Sequence, residues 1–174
     1  MDSITTIISV APIPSNPSSE VLDKTIASIR ENLPDCEIIL MFDGVPPDRI
    51  EMKKAYEEFI QKMLWRTEHE LTNITPIVFD QHSHQSLMTK KALEIIDTPL
   101  ILWSEQDTPL TGEIPWDKLS KVITTGYANL IRFHHEAQVH PEHVHLMLDK
   151  QPITTSGVPL LRTIKWAGML HLAS

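Results

Sequence analysis

The sequence predicts an α/β protein built on a mostly parallel sheet flanked by helices, with a small β-rich extension at its C-terminal end. Three observations carry this expectation. Strand-like and helix-like segments alternate three times before a fourth strand closes the series. Those strands are nearly continuous in apolar residues, as expected where both faces of a sheet are covered. The chain's 174 residues, 41% hydrophobic and 22% charged, have the length and composition of one ordinary globular domain.

Ile4 to Val10 is a β-branched run that reads as the first strand. Proline and serine break the chain from Ala11 to Ser19, and Ser18 or Ser19 is placed to cap a helix with Glu20 in its first turn. Leu22, Ile26, Ile29 and Leu33 recur at helical spacing until Pro34 stops the run. Glu37 to Phe42 is the second strand, cut off by Asp43-Gly44. Asp48 followed three residues later by Glu51 resembles a capping box, opening a helix whose inward stripe is Met52, Ala55, Phe59 and Met63. Ile74 to Phe79 is the third strand, and Pro76 places it near a sheet edge. Gln85 to Ile96 comes next as a helix with Met88, Ala92 and Ile95 inside, and Pro99 to Trp103 is the fourth strand.

The remainder is less regular. Trp116, Leu119 and Ile123 mark a short helix that Gly126 is placed to end, and Asn129 to Phe133 reads as a strand. Val144 to Leu148, Leu160 to Trp166 and Met169 to Leu172 read as short strands, or a hairpin around Ala167-Gly168. No repeat or long linker divides the chain, so residues 1–174 are expected to form a single domain. The apolar stretch running up to Ser174 suggests a truncated or minimal form.

Composition excludes several functions. A net charge of −8 argues against a nucleic-acid scaffold held by phosphate neutralisation, though not against a small phosphorylated ligand bound with a metal. With Cys36 as the single cysteine there is no internal disulfide, and a cytoplasmic setting is expected. No signal peptide or membrane span is expected either. Only five glycines are present, and neither a glycine-rich phosphate loop nor a Gly-x-Ser-x-Gly elbow is among them.

In an open α/β sheet, ligands bind beyond the carboxyl ends of the strands. The four strands lead respectively into Ala11-Pro12, Asp43-Gly44, Asp80-Gln81-His82 and Ser104-Glu105-Gln106-Asp107. Three of the four thus bring carboxylates to one rim, where a bound Mg²⁺ or Mn²⁺ would relieve their repulsion. The histidines of His82-Ser83-His84, His134-His135 and His140-Pro-Glu-His143-Val-His145 read as solvent-facing or locally hydrogen-bonded, since Pro141 spoils a helical zinc motif. Trp65, Trp103 and Trp166 are expected in or at the edge of the core, and an exposed Trp116 would be able to stack on a pyranose.

This order of residues resembles a nucleotide-sugar glycosyltransferase of the GT-A (Rossmann-like) fold, close to the family-2 group. The resemblance runs over about residues 4 to 135, more weakly to 172. It implies a nucleotide-binding half over about 1–107 and an acceptor-side half over about 108–174. Met41-Phe42-Asp43-Gly44 matches the family's Asp that contacts base or ribose, and Leu100 to Trp103 with Ser104-Glu105-Gln106-Asp107 after it matches its Asp-x-Asp motif with Glu in the first place. The resemblance implies donor contacts from Ala11, Pro12, Asp43, Gly44, Gln81, Lys90 (or Lys91), Glu105 and Gln106. It implies a divalent metal on Asp107 and Glu105, with His171 as a late ligand. Glu136 is the nearest candidate for the catalytic base.

The implied reaction is metal-dependent transfer of a sugar from a nucleotide-diphosphate donor, a UDP-sugar by family frequency, with inversion. The acceptor is open between glycan, lipid-linked sugar, protein and modified nucleobase. A second expectation is a truncated GT-A-like module that binds nucleotide or protein without turnover. A third, a histidine-metal hydrolase, would carry zinc.

Overall fold

A computed structural model describes residues 3–133, 141–164 and 170–174. The strands are β1 (Ile4–Val10), β2 (Glu37–Phe42), β3 (Ile74–Val78), β4 (Leu100–Glu105), β5 (Leu130–Arg132), β6 (Ile153–Thr155), β7 (Val158–Leu160) and β8 (His171–Ala173). The α-helices are α1 (Glu20–Asn32), α2 (Lys53–His69), α3 (His84–Leu93) and α4 (Trp116–Thr124). Six strands form one sheet in the order β3-β2-β1-β4-β8-β5, and β6 and β7 form a separate hairpin. β1 pairs in parallel with β2 and β4, and β2 in parallel with β3. β8 runs antiparallel to both β4 and β5, so β5 points the same way as the first four strands.

Side-chain alternation along the strands divides the core in two. Ile8, Leu40, Phe42 and Leu102 face α1, α2 and α4, meeting Leu22, Ile29, Tyr56, Phe59, Met63 and Val122. On the opposite face Ile7, Ile39, Met41 and Trp103 meet the buried Met88 and Ala92 of α3, with Ile77, Phe79, Ile96 and Ile101 partly buried against them. Each fully buried side chain of this size contributes about 1.5–3 kcal/mol, so the three-helix face carries most of the apolar stabilisation.

Several expectations need correction. Asp48 does not cap a helix: Arg49 has φ −127° and ψ 28°, which makes Pro47–Met52 a kinked 3-10 segment and moves the start of α2 to Lys53. Met52 and Ala55 are accordingly only half-buried, and Tyr56 and Ile60 join Phe59 and Met63 inside. α3 ends before Ile95, which is 53% exposed. Its last N–H groups bond three residues back (Glu94 to Lys91, 3.2 Å; Ile95 to Ala92, 3.1 Å), tightening the turn and rotating Ile95 off the inward stripe.

Val144 to Leu148 is no strand, since Pro141–Leu146 forms a 3-10 segment. The hairpin turns at Ser156-Gly157, both at positive φ, and β8 returns to the main sheet between β4 and β5. The hairpin expected around Ala167-Gly168, with Trp166, lies outside the described residues. Trp65 is exposed and stacks on His69, whereas Trp116 is buried against Phe133, so it offers no sugar platform. Among the described residues no helix is long and apolar enough to cross a membrane.

Candidate functional site

β1 and β4 lie side by side although the chain travels out to β3 between them, so their exits diverge and open a crevice at the sheet's C-terminal rim. Gln106 braces that crevice. Its N–H donates to Ser9 O (3.0 Å), its side-chain Nε2 donates to Ala11 O (2.9 Å), and its carbonyl accepts from Thr25 Oγ1 of α1 (2.8 Å). Gln106 is buried, so the side chain expected at the donor serves instead to hold the two exits at a fixed separation.

Beside the brace is a cavity of about 260 Å³, formed by Ala11 and Pro12 after β1, Asp43 after β2, Pro46, Asp48 and Arg49 of the next turn, and His82 and His84 after β3. Asp43 organises it. Its Oδ1 accepts from the N–H groups of Gly44 (2.9 Å) and Ser83 (2.7 Å), and Oδ2 lies 2.7 Å from His82 Nδ1. Gly44 permits this closeness: a Cβ there would overlap the backbone of Gln81 and His82. Gly44 and Gln81, expected at the donor, therefore meet each other through backbone. Beneath them the Tyr56 hydroxyl donates to Val10 O (3.1 Å). Burial first, then the Asp43 charge, push its phenol far above the usual range and keep it neutral. His84 opens α3 at φ 64°, in the left-handed region, with its ring 5.0 Å from that of His82.

The carboxylate turn lies after β4. Thr108 Oγ1 accepts from Glu105 N (3.0 Å) and lies 2.9 Å from Ser104 Oγ, which closes the turn over Gln106-Asp107. Glu105 Oε1 accepts from Gln85 Nε2 of α3 (2.8 Å), and Asp107 is exposed at the tip. Among the described residues no three His, Cys, Asp or Glu side chains form a group placed to hold a metal ion. Glu105 and Asp107 are two carboxylates, a ligand type that hard divalent cations take. His171 does not complete that pair. It sits on β8 opposite Trp103, short of the turn, and stacks on that indole (centroids 5.4 Å apart, 13° between planes).

Lys90 and Lys91 are not at the rim. They lie in the last turn of α3, about 9 Å along its axis from His84, and Lys91 is paired with Glu94 at 3.0 Å. Glu136, His134, His135 and His140 lie outside the described residues. Arg49, His82 and His84 line the cavity without having been singled out as ligand contacts. The available signal was position, since His82 and His84 come directly after a strand that ends on the rim. A second, shallower depression, of about 500 Å³, is lined by Lys121, Thr125 and Tyr127 at the end of α4 and by Thr154, Thr155 and Ser156. The chain passes directly from there into β5, which places it at the opposite end of the sheet.

Solved structures share this fold. The chain superposes on the mannosyltransferase PcManGT from Pyrobaculum calidifontis, in complex with GDP-Man and Mn²⁺, with a TM-score of 0.53 over 78% of its length at 9% identity. The fold is GT-A-like. S. aureus TarS 1-349 in complex with UDP gives a TM-score of 0.50 over 87% of the chain at 12% identity. The bifunctional IspDF from Campylobacter jejuni gives 0.50 over 98%, also at 12% identity. The chain spans 36%, 41% and 40% of these three structures. No family model and no curated protein matches the sequence.

Proposed function

We propose that this chain is a nucleotide-sugar glycosyltransferase module, residues 1–107 holding a nucleotide-diphosphate sugar and residues 108–174 serving the acceptor side. The observation that carries the reading is the shared rim of a GT-A-like sheet: the Asp43 cavity after β1 and β2 and the Glu105–Asp107 turn after β4 flank one crevice. On this reading the cavity takes the nucleoside and the turn meets the diphosphate. Glu105 and Asp107 would hold a divalent cation, Mn²⁺ or Mg²⁺, which supplies Lewis-acid neutralisation of the departing nucleotide diphosphate. This suits a chain of net charge −8, in which an ion rather than a basic patch offsets the phosphates. An acidic residue, with Glu136 the candidate, would take the acceptor's proton in an inverting, in-line attack.

The neighbours carry both GDP-Man and UDP in their complexes, so a panel of UDP- and GDP-sugars with and without Mn²⁺ is the direct test. Slow release of free sugar from one of them, dependent on metal, is expected; no binding of any member would refute the reading. A second reading, nucleotide binding without turnover, is favoured by one feature: the Glu105 carboxylate is already held by Gln85. It predicts binding of the same donor with no sugar released.

A further inference from the structure

Asp43 stands where a nucleotide would meet a carboxylate, yet that carboxylate is nearly filled. An ionised carboxylate offers about four acceptor positions. The N–H groups of Gly44 and Ser83 and the His82 ring occupy three of them. The Asp43 side chain is only 4% exposed, while that of His82 is 34% exposed and lines the cavity. At 2.7 Å, bare lone pairs on His82 Nδ1 and Asp43 Oδ2 would repel each other, and an ionised carboxylate has no hydrogen to give. The hydrogen therefore sits on Nδ1. Whatever charge the ring carries, Nε2, on the far side from Asp43, is the nitrogen left for a ligand.

We propose that His82 Nε2, in place of the Asp43 carboxylate, makes the hydrogen bond to the base or ribose of a bound nucleoside diphosphate. Asp43 is then a positioning residue that fixes the imidazole, and Gly44 is the gap that lets the His82 turn approach it. The proposal rests on the nucleotide-binding reading above.

Two substitutions separate the two ring nitrogens. His82→Asn keeps a donor near the Nδ1 position and removes the ligand atom, whereas His82→Gln places an amide near the Nε2 position. UDP titrated calorimetrically in the presence of Mn²⁺ should bind His82→Asn about tenfold more weakly, with an unchanged unfolding midpoint, and His82→Gln within about threefold of the unaltered chain. Equal affinity in His82→Asn, or equal losses in both variants, would overturn the proposal. In the unaltered chain, the ¹⁵N resonance of His82 Nε2 should move on saturation with UDP. An unmoved resonance overturns the proposal even if a variant fails to fold. Should the unaltered chain bind neither UDP nor GDP, the nucleotide reading falls with it, an outcome distinct from losses confined to the variants.

Discussion

Gly44 is the residue on which the cavity's wall most depends. It is buried, and its missing side chain leaves room for backbone (Gln81 and His82) rather than for a flexible chain end that could move aside. Gly44→Ala should therefore cost about 1–3 kcal/mol, read as a lower urea midpoint, and should pull His82 away from Asp43. An unchanged midpoint would mean that the turn yields freely. Cys36 makes the opposite kind of case, a reactive group made inert. Burial pushes its thiol up, against weaker pulls from the neighbouring Thr6 hydroxyl and the Arg30 guanidinium. Since the thiolate is the nucleophile, a thiol reagent at neutral pH should label Cys36 only as the chain unfolds. Rapid stoichiometric labelling of the folded protein would contradict this.

At the scale of elements the two faces of the sheet are unequally secured. α1 and α2 bury four or more side chains each and are tied together by Arg66, which donates to Asp23 Oδ1 (2.7 Å) and to Ser19 Oγ (3.1 Å). α3 buries only Met88 and Ala92, and leaves Leu87 and Leu93 about half exposed. Its amides should exchange with solvent well before those of α1 and α2. Met88→Ala should cost about 2–3 kcal/mol and speed exchange in α3 most. Uniform protection across the three helices would contradict the asymmetry.

The same contrast explains what was legible beforehand. The strands were readable because both of their faces are buried, leaving runs such as Ile38 to Phe42 with no polar interruption. Helix ends were not, because Arg49's backbone and the tightened end of α3 are set by local turns that periodicity does not encode. Asp43 and the Glu105–Asp107 turn were found from their place after strands. The engagement of Asp43 by His82, and the burial of Gln106, depend on contacts across 39 and 95 positions of sequence that no local pattern reveals.

At the scale of the whole molecule, the proposed function brings an anionic ligand to an acidic chain. On that proposal, a chain of net charge −8 offsets a diphosphate with a cation, so nucleotide affinity should depend on divalent metal. Replacing the two acids of the turn should abolish that dependence while leaving the core intact. Calorimetric titration of UDP and GDP into the unaltered chain and into Glu105→Gln/Asp107→Asn, each with and without Mn²⁺, tests this most directly. Mn²⁺ is expected to tighten binding of at least one nucleotide about tenfold or more in the unaltered chain and to have no effect in the double variant. Identical Mn²⁺-dependent affinities in the two proteins would contradict a cation held by Glu105 and Asp107.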